Sequence, residues 1–429
     1  MCNKIRLCVL VFLLSFLFLR CGADELYDRL IALEGVASVE EIDKGFFDKR
    51  YVVMFEQPLD HSSPGKGRFE QRFVISHAGF DRPSLLITDG YDAARAYGTS
   101  RGEISYHLNT NQIFVEHRYF GESQPSPRDW AYLTGENAAG DLHNIRQALS
   151  GIYPGKWIAS GVSKGGQNAL IYRMFFPDDV DVTVAYVAPV CFAVEDGRHK
   201  KFLEEVGSAE ERGAVLDFQK ELLRRKGHLM PLLTEYCTTR KYEYRLPLEE
   251  IYEYCVLEYS FAFWQRGMAA SLIPPSDSPH EDIFYHFVSV VPPNYFSIGS
   301  EPPLFVQSVR ELGYYGYDTA PLQELLTIES AKDYIYRILL PDDARRIKFS
   351  GNLSARITEF YRANDPRLIC VYGELDPWSA AALDPSLFEG KTNMKFYVEP
   401  RGNHKTGIGR LPEEMKNEAW NTLERWMQQ

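Results

Sequence analysis

A serine in a glycine-rich turn is the first feature of this sequence that could carry out chemistry. Ser163 lies in GVSKGG, between the apolar run KWIAS and the helix-like run GQNALIYRMFF. A strand, a tight turn and a helix in this order hold a serine hydroxyl above the edge of a sheet, where it can act as a nucleophile. The backbone N–H of Lys164 is then placed to bind a developing oxyanion, aided by the helix dipole. The alternative is a glycine-rich turn that catalyses nothing.

A serine nucleophile needs a base, and five histidines follow Ser163. His404 lies in FYVEPRGNHKTG, where a strand-like run is followed by glycines that permit a loop folding back over the sheet edge. His199 lies in the charged stretch GRHKK, which predicts a solvated side chain. The other three histidines fall in a helical region. We therefore predict that His404 is the base.

The acid that orients this base is predicted to be Asp376. It lies in LICVYGELDPWSA, just beyond the end of an apolar strand, and Pro377 stiffens the turn. Its carboxylate would accept the His404 ring N–H and stabilise the imidazolium. Serine, acid and histidine then follow one another in the chain order found in α/β-hydrolases, each at the end of a strand.

The elements around these residues predict a mostly parallel α/β sheet. Strand-like runs alternate with helical runs up to about residue 195, and the alternation returns after residue 340. Between them lie charged helical stretches joined by proline-rich segments. We predict an α/β-hydrolase fold formed by residues 24–195 and 341–429, with a mainly helical cap inserted at 196–340.

The first 23 residues are typical of a secretory signal peptide. Lys4 and Arg6 precede an apolar run at 7–19 that is short for a membrane span, and small residues follow at 21–23. We predict cleavage after residue 23 and export to the periplasm or the extracellular space. A lipid anchor on Cys21 is an alternative, although Arg20 is unusual before such a cysteine. No other stretch predicts a stable membrane span.

Charge and motif content exclude several classes of protein. Loss of the leader moves the formal net charge from −12 to about −15, because three basic residues and no acidic ones are removed. Such a charge argues against nucleic acid as a partner. The sequence has no H-E-x-x-H, no paired C-x-x-C and no G-x-G-x-x-G after a strand. Neither a metal nor another cofactor is expected.

Four cysteines remain after the leader: Cys191, Cys237, Cys255 and Cys370. In an oxidising compartment one disulfide is plausible, and proximity in sequence favours Cys237–Cys255. Cys370 lies in an apolar strand-like run and is predicted to be a buried thiol. Four cysteines allow three full connectivities, and the spacing does not choose among them.

Several motifs together resemble a known peptidase family. GVSKGG, VYGELDPWS and GNHKT are similar to the secreted bacterial proline-specific tripeptidyl and tetrapeptidyl aminopeptidases, serine peptidase family thirty-seven. FEQPLDH, GRFEQRF and VEHRYFGESQP resemble the related prolylcarboxypeptidase and dipeptidyl peptidase II family. Lysine after the nucleophile favours the first family, since the second usually has an aromatic residue there.

This resemblance implies an exopeptidase that removes tri- or tetrapeptides from free N-termini and prefers proline before the cut bond. It implies that Ser163, Asp376 and His404 form a catalytic triad. It also implies a second oxyanion donor from the loop after LLIT, at the backbone of Gly90 or Tyr91. The inserted helices would form a cap that admits only unfolded peptide ends.

Such an enzyme needs a flat apolar pocket for proline and a carboxylate for the substrate ammonium. Trp378 beside the acid loop and Trp264 in the cap are candidates for the pocket. Glu116 and Glu122, in VEHRYFGES, are candidates for the ammonium site. All four residues also have ordinary structural explanations, as core side chains or loop anchors.

Three other functions stay open at this level. A secreted esterase or lipase could use the same fold and triad, because these do not fix the acyl group. A carboxypeptidase like the lysosomal relatives would need a cation for the substrate carboxylate. A binding module on a hydrolase scaffold is disfavoured by the intact set of serine, acid and histidine.

Overall fold

The computed structural model of this protein describes residues 24–98 and 101–429. The leader predicted at 1–23 and the lipid-anchor candidate Cys21 lie outside the described residues. Over the two described ranges, no helix combines the length and the apolar character needed to cross a bilayer.

One sheet organises the described part of the chain. Its nine strands are β1 (Val36–Glu41), β2 (Lys49–Pro58), β3 (Arg68–His77), β4 (Ser84–Ile87), β5 (Asn111–Val115), β6 (Trp157–Val162), β7 (Val182–Tyr186), β8 (Leu368–Gly373) and β9 (Met394–Glu399). Their order across the sheet is β1-β2-β3-β5-β4-β6-β7-β8-β9. β1, β2, β3 and β5 pair antiparallel in that order, and every neighbouring pair from β5 to β9 is parallel.

The parallel half of the sheet is apolar because helices cover both of its faces. All five residues of β7 are buried, and Ser160 of β6 lies opposite Ile87 of β4 and Val184 of β7. Separate clusters of apolar side chains pack against the two faces. The predicted α/β-hydrolase fold, with its mostly parallel sheet, is confirmed.

Twelve helices of α type lie in the described ranges. They are α1 (Glu25–Ile31), α2 (Glu103–Leu108), α3 (Gly135–Leu149), α4 (Lys164–Phe175), α5 (Arg198–Glu205), α6 (Ala209–Arg224), α7 (Lys226–Thr239), α8 (Leu248–Arg266), α9 (His280–Val290), α10 (Pro302–Gln307), α11 (Asn352–Ala363) and α12 (Glu413–Gln428). Thr134 caps α3 by accepting the Asn137 N–H at 3.2 Å. α4 ends just before Pro177, which cannot continue a helix.

The segment between β7 and β8 forms the helical insertion. It contains α5 to α10 and two π-helical turns at Ser308–Leu312 and Ile335–Leu339, and its apolar side chains share one large cluster. α11 instead packs Leu353 and Ile357 into a cluster that covers the sheet. Residues 24–195 supply β1 to β7, and residues 341–429 supply β8 and β9.

The four described cysteines are all buried free thiols. Cys237 Sγ lies 3.2 Å from the Tyr244 hydroxyl, with which it shares a hydrogen bond. The predicted Cys237–Cys255 disulfide is therefore not formed. Cys370 is a buried thiol in β8, as predicted.

Candidate active site

Ser163 occupies a strained turn between β6 and α4. Its backbone has φ 58° and ψ −124°, a conformation that L-residues rarely adopt. The Ser163 N–H donates to the Tyr186 carbonyl at 2.9 Å, which ties the turn to the end of β7. A Cβ on Gly161 would lie 2.3 Å from the backbone carbonyl carbon of Gly165, so the turn closes only with glycine there. The sharp turn holds the serine at the carboxyl edge of the parallel strands.

Substituting Gly161 by Ala should open this turn. The added methyl group meets backbone and cannot be absorbed by a rotamer change, so we expect a destabilisation of about 1–3 kcal/mol and at least a tenfold slower reaction of Ser163 with a fluorophosphonate. Gly151→Ala is the matched control, because no atom lies within 4 Å of a Cβ at that position. Equal labelling rates for the two variants would contradict the close approach at Gly161.

Asp376 and His404 meet at the same edge of the sheet, after β8 and β9. His404 Nδ1 lies 2.7 Å from Asp376 Oδ2, and the carboxylate accepts the ring N–H. Asp376 is fully buried, and its other oxygen accepts the Trp378 N–H at 3.2 Å. The His404 N–H donates to the Gln265 carbonyl at 3.1 Å, which joins the histidine loop to the end of α8. The carboxylate therefore fixes the orientation of the ring.

Trp378 is the residue that relates the positions of Ser163 and His404. No hydrogen bond links the Ser163 hydroxyl to the His404 ring in the described structure. Ser163 and Trp378 line one cavity, and the Trp378 ring centroid lies 6.4 Å from that of His404. Hydrogen bonds of this kind are often loose without substrate and tighten in the reacting complex.

Two backbone N–H groups are candidates for binding an oxyanion. Lys164 is the first residue of α4, where a helix leaves its N–H groups without intrahelical partners. Of the two residues predicted in the loop after β4, Tyr91 lines the cavity with Ser163, whereas Gly90 does not. A Cβ on Gly90 would lie 2.6 Å from Lys164 Cγ, so this loop packs directly on the lysine stem.

The Lys164 side chain, next to Ser163 in the sequence, is buried, a feature that the sequence did not predict. Its Nζ lies 5.9 Å from the centroid of the Tyr91 ring and 5.4 Å from that of Phe120. Within the described residues, Nζ has no hydrogen-bond partner. Burial lowers the pKa of Lys164 to about 7, although nearby acidic side chains oppose this shift. Its ammonium is therefore held by aromatic faces and by charges at longer range.

The cavity above Ser163 has a volume of about 400 Å³ and lies between the sheet edge and the inserted helices. Its aromatic and apolar wall is formed by Tyr91, Tyr295, Leu304, Tyr314, Tyr315 and Trp378. Trp378 meets Tyr314 and Tyr315 at steep interplanar angles of 72° and 76°. Such a wall suits a compact apolar ring such as proline.

Glu116 and Glu122 lie outside this cavity. Glu116 is fully buried, and its carboxylate accepts hydrogen bonds from the Ser123 hydroxyl at 2.8 Å, from Arg72 and from three backbone N–H groups. It organises its own loop and is not available to a substrate amine. Glu122 is exposed to solvent. Neither glutamate is therefore among the residues that line the cavity with Ser163.

Trp264 and His199 also differ from expectation. Trp264 is buried and lines a separate cavity of about 270 Å³ inside the cap, because its side of α8 faces α5 and α6. His199 is fully buried where the sequence predicted a solvated side chain, and its ring centroid lies 5.5 Å from that of Trp378. Burial lowers the pKa of His199 to about 4, so it supports the aromatic wall as a neutral ring.

Glu258 is the polar residue of the cavity that sequence reasoning missed. It lies on α8, is 5% exposed and lines the cavity with Ser163. Both of its oxygens accept hydrogen bonds from the Tyr315 hydroxyl at 3.0 Å, and one also accepts from the Tyr317 hydroxyl at 2.8 Å. The signal that could have found it is a glutamate among aromatic residues in VLEYSFAFW, on a helix otherwise apolar at that level.

Nothing in the site has the arrangement of a metal centre. Across residues 24–98 and 101–429, no three His, Cys, Asp or Glu side chains are grouped so as to hold a metal ion. The residues present can carry out acyl transfer, with a hydroxyl nucleophile, an oriented imidazole and backbone N–H donors.

Fold and site together define a serine hydrolase of the α/β-hydrolase class. The model of the PS-10 peptidase S37 family matches residues 20–428. The chain belongs to this family of serine peptidases, and the resemblance inferred from its motifs is confirmed.

Individual relatives carry related descriptions. The chain is 31% identical over 417 residues to the prolyl tri/tetrapeptidyl aminopeptidase of Streptomyces mobaraensis, covering 94% of this chain and 85% of that protein. It is 30% identical over 203 residues to the lysosomal Pro-X carboxypeptidase of Mus musculus, covering 43% and 41%. Among solved structures, the proline iminopeptidase of Mycobacterium smegmatis aligns with a TM-score of 0.41 and 12% identity, over 91% of this chain and 99% of that one.

Proposed function

We propose that this protein is an exported exopeptidase that releases tri- or tetrapeptides from free N-termini and cuts after proline. Ser163 acts as nucleophile, His404 as general base and acid, and Asp376 orients the imidazole. The homology to a prolyl tri/tetrapeptidyl aminopeptidase supports the substrate class. Export is proposed from residues 1–23 alone, whose sequence is typical of a signal peptide.

The proposed reaction uses the groups of the site in turn. Ser163 Oγ attacks the carbonyl carbon of the proline residue while His404 Nε2 takes the hydroxyl proton. The oxyanion that forms is bound by the backbone N–H groups of Lys164 and Tyr91. The C–N bond then breaks, and the His404 imidazolium gives its proton to the leaving amine. Water attacks the acyl-enzyme by the same route, and the peptide leaves with a free carboxylate.

The observation that carries this proposal is the composition of the cavity above Ser163. It joins the nucleophile, a flat apolar wall at Trp378 and the buried carboxylate Glu258 in one space beneath the inserted helices. A lipase would need a broad apolar groove for the acyl chain of a lipid, and a buried carboxylate has no use in such a groove. A peptide with an apolar ring and a charged end has a partner for each part.

The test is hydrolysis of Ala-Ala-Pro joined to a fluorophore, beside its N-acetylated twin. We expect the free-amine substrate to be cleaved at least about 100-fold more efficiently, because a paired ammonium is worth several kcal/mol in a dry site. Ser163→Ala is the control and should abolish hydrolysis of both. Equal cleavage of the twins would show that the amine is not recognised and would contradict an aminopeptidase.

A Pro-X carboxypeptidase is the second candidate function, favoured by cations that line the cavity. Lys164 and Arg266 both lie in its wall, and either could receive a substrate carboxylate. Relatives that match about a third to two fifths of this chain are named lysosomal Pro-X carboxypeptidases. Release of phenylalanine from an N-blocked Ala-Pro-Phe with a free carboxylate would support this function over the first.

A further inference from the structure

The acidic residues buried in the described part of the chain divide into two kinds. Seven of them have a basic side chain within 4.0 Å: Asp89, Glu116, Asp141, Asp179, Asp196, Glu253 and Asp376. Glu258 is buried to the same degree, and no salt bridge reaches it from the described residues. A buried carboxylate without a cation is costly, because its charge loses hydration without gaining a partner.

The surroundings of Glu258 keep its carboxylate in place without neutralising it. The hydroxyls of Tyr315 and Tyr317 donate to it, and both rings belong to the aromatic cluster of the insertion. Burial raises the pKa of Glu258 to about 7, while the two tyrosine hydroxyls and the more distant Arg266 act to lower it. The group is fixed in position and lacks a cation.

We infer that Glu258 receives the α-ammonium of the peptide substrate and sets the length of the released peptide at about three residues. This inference rests on the proposed function, because it concerns the substrate of the same site. The incoming ammonium supplies the basic partner that every other buried carboxylate of the described chain already has. A charge-assisted bond in a site closed to water is stronger than the same bond at the surface.

The length of the released peptide follows from the geometry of α8. Glu258, Ala262 and Gln265 all line the cavity, and they are spaced by four and three residues, so one face of the helix runs along it. The Gln265 carbonyl accepts the His404 N–H, which places that end of the helix at the reacting centre. Seven residues of helix span about 10 Å. An extended peptide covers that distance with about three residues.

Glu301 is the competing carboxylate. It also lines the cavity, and burial raises its pKa above the usual value. Its desolvation is only partial, because the residue stays exposed to solvent, so water screens its charge and its pairing with an ammonium gains less. Substitution of Glu301 therefore shows whether Glu258 or Glu301 receives the substrate ammonium.

The experiment compares Glu258→Gln, Glu301→Gln and Glu122→Gln with the wild-type protein. The substrates are fluorogenic peptides with one to six residues ending in proline, each with a free or an acetylated N-terminus. We expect Glu258→Gln to lower kcat/KM for free Ala-Ala-Pro about 100-fold and to leave the acetylated twin within threefold. The maximum at three residues should disappear with it. Glu122→Gln, exposed and outside the cavity, should match the wild type.

Each other outcome has a definite meaning. If Glu258→Gln retains the preference for a free amine, or if Glu301→Gln loses it instead, the inference is overturned while the proposed function stands. If the wild-type protein reacts with a fluorophosphonate and yet cleaves no proline peptide, the proposed function fails and this inference fails with it. Glu258→Asp keeps the charge and should retain the preference in weakened form, so a poorly folded Gln variant does not decide the matter.

Discussion

Asp376→Asn should lower kcat about 10⁴-fold and leave KM nearly unchanged. The amide keeps the size of the carboxylate, and its oxygen can still accept the Trp378 N–H that now binds Asp376 Oδ1. It cannot accept the His404 Nδ1–H well in the same geometry, because its NH₂ group donates. The imidazole would then be held with the wrong nitrogen protonated, and it could not take the proton of Ser163.

The control for this substitution is Asp384→Asn. Asp384 also caps a short helical turn, by accepting the Ser386 N–H at 2.9 Å, and it lies at the surface. Its variant should keep wild-type kcat. Thermal unfolding of both variants separates loss of catalysis from loss of structure. A kcat for Asp376→Asn within tenfold of the wild type would show that His404 is oriented by another group.

The sheet and the three proposed catalytic residues could be predicted because each leaves a local signal. A buried parallel strand is a short apolar run, and the residue that follows it lies at the carboxyl edge of the sheet. Ser163, Asp376 and His404 each follow such a run with glycine or proline nearby. The three residues therefore lie along the same edge of the sheet, although Ser163 and His404 are more than 200 residues apart in the sequence.

The substrate-binding residues could not be predicted in the same way, because tertiary packing of the insertion decides them. Glu258 is one glutamate among many on charged helices, and its partners Tyr315 and Tyr317 lie 57 and 59 residues further along the chain. Glu116 was a candidate for the ammonium site, yet its carboxylate accepts hydrogen bonds from Arg72 and from the backbone of its own loop. The two glutamates differ in whether their buried carboxylates are paired with a basic side chain. That difference depends on contacts between residues that are distant in the sequence.

His199 illustrates the same limit. Its neighbours Arg198, Lys200 and Lys201 are charged, and a run of charges predicts a solvated segment. In the structure these residues open an amphipathic helix, α5, which turns His199 alone toward Trp378. On a helix, adjacent residues point in different directions, so the average character of a stretch does not describe each of its members.

The wild-type protein should lose more free energy of unfolding between pH 5 and pH 8 than Glu258→Gln does. The pKa of Glu258 is raised from 4.5 in the unfolded chain to about 7 in the folded one. The folded state therefore holds this proton more tightly, and its contribution to stability is complete below pH 4.5 and lost as the pH rises through 7. The difference amounts to about 3 kcal/mol, which the neutral amide of the variant does not lose.

Glu253→Gln is the matched control from the same helix, because the pKa of Glu253 is shifted in the opposite direction from that of Glu258. Burial acts to raise the pKa of Glu253, but hydrogen bonds from Lys226 and Thr327 together lower it. Its ionised form stabilises the fold at neutral pH, so its Gln variant should be less stable than the wild type at pH 8. Urea unfolding of the three proteins at pH 5 and pH 8 measures both effects. Parallel loss of stability in wild type and Glu258→Gln would show that Glu258 ionises without cost.

Binding of a peptide ammonium should restore the stability that the protein loses when Glu258 ionises. This effect would connect the raised pKa of Glu258 to its proposed role. The peptide Ala-Ala-Pro carries an ammonium that can pair with the ionised carboxylate, so it should raise the Tm of the wild-type protein at pH 8, and the rise should grow with the logarithm of peptide concentration above Kd. Its N-acetylated form should not, and neither peptide should stabilise Glu258→Gln. An ammonium-binding site requires a buried carboxylate whose charge destabilises the free protein and is neutralised when the substrate binds. A carboxylate that is permanently paired with a cation of the protein would not bind the ammonium of the peptide.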